Sequence, residues 1–306
     1  MVRVCSFFPT ATEILYALGA GRSLVGRSQH CHYPPAVKSK PIVVTSRVKK
    51  IAAQDSVAIH QAVQRLRREN AHQFSIDVKQ LQRLKPELVI TQELCSVCAA
   101  SHSEVSAAIQ HLWPAPKVIS LQGRRLDGIF SDIRRLGGTI DREETADRLI
   151  RQLQGRIEQV RTQVDHSSSF RPRVWVCEWL EPPMAAGHWI PELVELAGGT
   201  DRLGRKGADS AWLTWDQIRS YDPEVILVMP CSYSIAQTLK ERWRLTRRPG
   251  WKRLSAVKQS QVFAVEGGLY HHAGPRLVDG LELFAHLFHP DRIPAGKYHR
   301  YFRSLI

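Results

Sequence analysis

The chain has no apolar run long enough to cross a bilayer: its hydrophobic stretches are short and end in charge, Gly or Pro. It also lacks a Gly-x-Ser-x-Gly elbow, a Walker-type phosphate loop, a His-Glu-x-x-His pair and a dinucleotide fingerprint. Gly137-Gly138 and Gly198-Gly199 read as helix ends instead. These absences set aside the common nucleophilic, nucleotide-dependent and zinc-protease classes, and no nucleotide cofactor is expected. Acidic residues are scarce, 29 against 43 basic ones, for a formal charge of +14. The basic residues are dispersed (Arg65, Arg67, Arg68; Arg134, Arg135; Arg242, Arg244, Arg247, Arg248) and no nucleic-acid motif accompanies them. A solvated basic surface is therefore the leading reading, ahead of a nucleic-acid partner.

No basic, apolar leader precedes the first strand pattern, which begins at Val2-Arg3-Val4-Cys5. That predicts a cytoplasmic protein; a processed periplasmic form would look the same apart from Met1. The cysteines are Cys5, Cys31, Cys95, Cys98, Cys177 and Cys231, and the repeated placement of Cys5 and Cys177 on strands fits buried free thiols in a reducing compartment.

What is present is a duplication. Arg3-Val4-Cys5-Ser6 opens a run that ends Glu13-Ile14-Leu15-Tyr16-Ala17-Leu18-Gly19, and Arg173-Val174-Trp175-Val176 opens another that ends Glu192-Leu193-Val194-Glu195-Leu196-Ala197-Gly198-Gly199. Each is followed later by a Pro-acid pair and an apolar strand: Pro86-Glu87-Leu88-Val89-Ile90 and Pro223-Glu224-Val225-Ile226-Leu227. Between them, Ala146, Leu149, Ile150, Leu153, Ile157, Val160 and Val164 recur at helical spacing, after a capping-box-like Asp141 and Glu144. A helix of about 25 residues would span roughly 37 Å, a strut rather than a flexible linker. The expected architecture is α/β, with an N-terminal lobe over 1–138, an inter-lobe helix over 139–168 and a C-terminal lobe over 169–306. Two like lobes imply a cleft between them, and a binding module is the leading functional reading. The basic, aromatic stretch from Lys297 to Arg303 is expected to be a frayed tail.

Four segments fall on loops after strands, the edge at which open α/β sheets bind ligands. The first, Gln29-His30-Cys31-His32-Tyr33-Pro34-Pro35, offers at most His30 with His32 to one metal, because adjacent residues point to alternate sides. A loop contact to a ligand, or plain exposure, is favoured over zinc. The second, Gln92-Glu93-Leu94-Cys95-Ser96-Val97-Cys98, has no partner set to complete a zinc site. Its thiols read first as structural or lining groups, then as a redox pair that would make the protein a thiol enzyme, then as zinc ligands.

The third, from Cys177 to Trp189, is rich in aromatic, sulfur and small residues outside any amphipathic period. Trp179, Met184 and Trp189 suit the face of a flat ligand, and His188 could ligate a metal centre. In the fourth, Glu266-Gly267-Gly268-Leu269-Tyr270-His271-His272-Ala273-Gly274-Pro275-Arg276, the glycines permit close approach and Arg276 stands at a helix start.

At these segments the chain resembles the cobalamin-binding branch of the iron-siderophore and cobalamin class of substrate-binding proteins. The marks are Pro9-Thr10-Ala11-Thr12-Glu13, Val25-Gly26 leading to Tyr33-Pro34-Pro35, and Leu84-Lys85-Pro86-Glu87. Further marks are Gln92-Glu93-Leu94-Cys95 with Val97-Cys98, Pro182-Pro183, and Gly274-Pro275-Arg276; the resemblance runs to about Pro290. It implies two Rossmann-like lobes joined by a long rigid helix, the class III substrate-binding-protein fold, and non-catalytic binding of a corrinoid such as cobalamin.

Haem, a siderophore or a metal complex is the alternative cargo. The resemblance places Tyr33, Trp179, Tyr270 and Arg276 at or near the ligand, with Cys31, Glu93, Cys95, Met184, His188, Trp189, His271 and His272 as further candidates. His188, His271 or His272 would be an axial ligand. Members that dock on an ABC permease carry one acid on each lobe; the matching positions here are Lys79 and Asp216. Lys79 would turn attraction toward a cationic permease into repulsion. His271-His272 stands where relatives often carry a Ser-Arg type pair.

Overall fold

The computed structural model describes residues 1–48, 55–69, 71–93, 102–110, 112–165 and 170–306. The chain divides into two compact units, one of 1–123 with 127–151, the other of 124–126 with 152–306. Each is built on a six-stranded sheet, mostly parallel in the first unit and mixed in the second.

In the first unit the strands are β1 (Val4–Ser6), β2 (Leu24–Ser28), β3 (Ile42–Ser46), β4 (Phe74–Ile76), β5 (Leu88–Gln92) and β6 (Lys117–Leu121). Their order is β4-β3-β2-β1-β5-β6, all neighbours parallel except β3 and β4. The helices are α1 (Pro9–Ala17), α2 (Ser56–Arg68), α3 (Val78–Leu84), α4 (His102–Ile109) and α5 (Leu126–Thr139). All five residues of β5 are buried, as a central strand covered on both faces requires. Cys5, Phe7, Val43, Val44, Phe74, Leu81, Val89, Val105 and Leu112 form one continuous core cluster. Full burial of a side chain such as Leu81 or Phe7 contributes about 1.5–3 kcal/mol.

Helix α6 (Glu143–Asp165) contributes its first turns to the first unit and the rest to the second. It starts two residues later than the expected cap. Asp141 sits at φ 56°, in the left-handed region, and the Arg142 N–H closes onto the Gly137 carbonyl at 2.7 Å. Asp141 thus belongs to the turn that ends α5, and not to the cap of α6.

The second unit holds β7 (Val174–Trp179), β8 (Met184–Ala185), β9 (Ala211–Trp212), β10 (Val225–Val228), β11 (Val262–Val265) and β12 (Phe302–Ser304), ordered β12-β11-β10-β7-β8-β9. Its helices are α7 (Ile190–Leu196), α8 (Trp215–Tyr221), α9 (Ile235–Glu241), α10 (Trp243–Thr246), α11 (Ser255–Lys258) and α12 (Leu277–Phe288). The expected frayed tail is ordered instead. β12 pairs antiparallel with β11, Tyr298 is buried, and Arg156 of α6 holds Asp279 and Glu282 of α12 at 2.6 and 2.7 Å. Edge pairing and that ion cluster supply what the basic composition hid.

The duplication extends to single bonds. In the first unit α3 ends in left-handed Lys85, and Glu87 accepts the Arg3 N–H at 2.9 Å while Arg3 Nε donates to the Leu84 carbonyl. In the second, α8 ends in left-handed Asp222, Glu224 accepts the Arg173 N–H at 2.9 Å, and Arg173 Nε donates to the Asp222 carbonyl. The repeated Pro-acid pair is thus a clamp joining a helix end to the start of the first strand of each sheet.

Candidate functional site

In the first sheet the connections reverse direction between β1 and β5, so the loops after these strands flank the switch point at which such sheets take ligands. After β1, Ser6 Oγ donates to the Phe8 carbonyl at 2.8 Å, and Thr12 Oγ1 lies 2.8 Å from Ser6 Oγ and 3.1 Å from Cys31 Sγ. Cys31 is fully buried and burial pushes its thiol up to about 11, so it acts as a core group rather than a ligand-facing thiolate.

The loop that holds Cys31 is anchored by a residue the sequence did not advertise. The Arg27 guanidinium, buried, donates to the carbonyls of Lys40 (3.1 Å), Ser28 (3.1 Å), Cys31 (3.3 Å) and Lys38 (3.4 Å). Four acceptors fix the span that presents Tyr33, which is 47% exposed. His30 turns edge-on to Phe74, 6.4 Å between ring centres, and His32 is exposed. At the end of β5, Glu93 is exposed and accepts from Gln122 Nε2 at 2.9 Å. Cys95 and Cys98 lie outside the described residues.

In the second unit the loops after β8, β10 and β11 are bonded to one another. Trp189 Nε1 donates to the Tyr270 carbonyl at 2.7 Å, and His271 Nε2 lies 3.0 Å from the Met229 carbonyl. A carbonyl only accepts, so Nε2 carries the proton. Tyr270 is fully buried; its hydroxyl donates to the Gly280 carbonyl at 2.9 Å and its ring stacks on Phe284 at 4.4 Å. Both rings rest on glycine backbone. A Cβ at Gly267 would stand 2.3 Å from His271 Cε1, and one at Gly280 would stand 2.5 Å from Tyr270 Cε1. Burial, with the neighbouring His272, lowers His271 to about 4.

Tyr270 and His271 are therefore scaffold. The ring face and hydroxyl of Tyr270 are occupied, and His271 has committed Nε2 to the main chain. Their adjacency to glycines in sequence signalled close approach, but of side chain to backbone within the protein.

His188 is differently placed. It is a non-glycine residue at φ 54°, a conformation that costs about 1 kcal/mol or more and persists only where its surroundings impose it. Its N–H donates to the Ala208 carbonyl at 2.6 Å and its own carbonyl accepts from Gly207 at 2.8 Å. Nε2 lies 3.4 Å from Asp209 Oδ1, and Arg124 Nη1 holds that carboxylate at 2.6 Å. Burial, and then Arg124, lower the imidazole pKa against the opposing pull of Asp209, which favours the uncharged ring. Beside it, Ser210 Oγ donates to Glu178 and accepts from the Gly187 N–H.

Trp179 packs edge-on to Tyr233 at 5.8 Å, both nearly buried, and Met184 pairs with Trp179 across β7 and β8. Tyr233, Ser210 and Asp209 lie outside the four segments; Met229-Pro230-Cys231, just before Tyr233, also follows a strand, β10, at the same edge. His272 and Arg276 are partly exposed. Among the described residues no three His, Cys, Asp or Glu side chains gather as a metal set. Cys5, pushed up to about 12 by burial, and Cys177, higher still, are inert core thiols.

Two α/β units, each on an open sheet with most of the singled-out residues on loops after strand ends, make up the class III substrate-binding-protein fold. The chain belongs to the periplasmic binding protein family, whose profile it matches over residues 4–267. It is 26% identical over 281 residues to the vitamin B12-binding protein of Vibrio cholerae, covering 92% of this chain and 86% of that one. It is also 22% identical over 295 residues to YvrC, an uncharacterised ABC transporter substrate-binding lipoprotein of Bacillus subtilis, covering 94% and 80%.

Among solved structures, the fold matches the V. cholerae vitamin B12-binding protein BtuF with a TM-score of 0.67 at 24% identity, covering 94% and 96% of the two chains. It matches the haem-binding protein RhuT from Roseiflexus with a TM-score of 0.70 at 20% identity, covering 94% and 98%. The family is one of binding proteins, and no described helix is long and apolar enough to cross a membrane.

Proposed function

We propose that the protein binds a cobalamin-like corrinoid and carries it without catalysis. The observation that carries this reading is the 26% identity, over 92% of the chain, to a protein named for vitamin B12 binding. The second unit supports it with Trp179 and Met184 paired across β7 and β8, and with His188, an imidazole whose pKa burial lowers and which faces a carboxylate. Such an imidazole suits an axial position on cobalt. Tyr33, Glu93, His272 and Arg276 would meet the polar side groups of the macrocycle, and Trp189, Tyr270, His271 and Cys31 would hold those groups in place.

Haem is the second reading, favoured by the fold shared with haem-binding proteins and by the same imidazole. We also place the protein in the cytoplasm as a carrier, with the periplasm as the alternative. Lys79 and Asp216 are both exposed, and Lys79 weakens docking on a permease that presents cations.

Titration of the purified chain with cobalamin and with haem tests the cargo. A saturable absorbance change with cobalamin at micromolar concentration supports the first reading; its absence, with haem binding instead, replaces it. His188→Ala should remove a ligation band while leaving residual binding.

A further inference from the structure

The second unit carries a charged surface that the cargo site does not use. Between α9 and β11 the chain runs Lys240-Glu241-Arg242-Trp243-Arg244-Leu245-Thr246-Arg247-Arg248-Pro249-Gly250-Trp251-Lys252-Arg253, seven basic residues against one acid. That acid, Glu241, is buried and engaged: Tyr233 OH donates to it at 2.6 Å and Arg244 Nε at 2.6 Å. Arg248 is paired with Glu181 at 2.6 Å, so the excess positive charge of the segment rests on Lys240, Arg242, Arg247, Lys252 and Arg253.

Trp243 is 43% exposed at its centre, with the Arg244 and Arg247 guanidinium carbons 4.5 and 5.6 Å from the ring centre. Ala236, Leu239 and Trp243 form the apolar lining of a shallow cup of about 470 Å³ whose other lining residues are Lys240 and Arg242. Lys240, Arg242 and Arg247 are all exposed.

We propose that this cup is a docking surface for an acidic protein segment, with an apolar side chain in the cup and carboxylates on the surrounding guanidinium and ammonium groups. Arg244 is spent on Glu241, whereas the exposed Arg247 lies over the indole with a planar fork suited to a carboxylate, and exposed Trp and Arg are the residues that most often anchor interfaces. A lipid surface fits less well. Two guanidinium groups already lie over the Trp243 ring, which leaves less of the indole for the bilayer interface at which tryptophan ordinarily sits.

Fluorescence anisotropy of a labelled acidic peptide with a central apolar pair (EDLFDE) on the full chain tests this. The expected result is saturable binding that weakens at least tenfold between 50 and 500 mM NaCl (about the range over which such pairs are screened). Trp243→Ala and Arg247→Glu should each weaken it about tenfold, with melting temperature and cobalamin titration unchanged. Arg83→Glu, an equal charge change on exposed α3, should leave it within about twofold. The proposal is overturned by no peptide binding, by equal loss in the Arg83 variant, or by tighter association with phosphatidylglycerol vesicles or an oligonucleotide that the same two variants abolish.

Discussion

The indole of Trp189 donates to the main-chain carbonyl of Tyr270 at 2.7 Å, joining the loop after β8 to the loop after β11. Met229 brings in the loop after β10 through His271. Trp189 and Tyr270 are thus structural partners, and His188, one residue before the indole, is the group we propose for the ligand. The division of labour makes the frame and the proposed residue separable by mutation.

Gly267→Ala tests the frame. A Cβ there would meet the His271 ring at 2.3 Å, so the ring must leave its position over the backbone or the loop must shift. Overpacking of this kind costs about 1–3 kcal/mol. Urea unfolding should show that loss, and an unchanged midpoint would contradict the packing described.

Asp201 gives a pH signature. Burial raises its carboxyl to about 6 against the Leu203 and Gly204 N–H groups, both at 2.9 Å, which pull it down. A raised carboxyl favours the protonated form in the fold, so stability falls as pH rises from about 4 through 6. Asp201→Asn keeps the acceptor for both N–H groups and removes the charge. Its melting temperature should exceed that of the parent at pH 7, by an amount corresponding to at most about 3 kcal/mol, and the two should converge near pH 4.

Arg156 has the opposite sign. Burial alone would raise Glu282, but hydrogen bonds from Arg156 and Tyr298 outweigh it and hold the carboxyl below its ordinary value. That contribution is present at neutral pH and is lost as pH falls through the folded-state value. Arg156→Ala strands two carboxylates and should cost about 2 kcal/mol or more at pH 7. Thermal melts from pH 7 to 3 should show a smaller acid loss in the variant.

Arg27→Lys should loosen the span from Gln29 to Lys40. An ammonium cannot reach four carbonyls that a planar fork reaches, so buried acceptors go unmet at about 1–3 kcal/mol. Faster hydrogen exchange confined to that span, with β5 still protected, is the expected readout.

The sheets were largely legible because central parallel strands must be apolar throughout, and the Pro-acid repeat marked them twice. The short antiparallel pieces β4, β8, β9 and β12 were not, since two or three residues carry no period. Pairing along β11 ordered a tail whose charge suggested fraying. Composition also drew attention to Tyr270 and His271, yet an aromatic beside glycine looks the same whether it covers a ligand or its own main chain. Asp209 and Ser210 escaped notice because polar loop residues gain meaning only from what they face, here His188 and Glu178.

The placement of β12 bears on biogenesis. Residues through Arg151 suffice for nearly all of the first unit, so it can assemble while the ribosome is still at work. The outer edge of β11 and the carboxylates around Arg156 must wait for Tyr298 and Phe302–Ser304. Until those emerge, the nascent second unit exposes an unpaired strand, the interval in which a chaperone would be needed most.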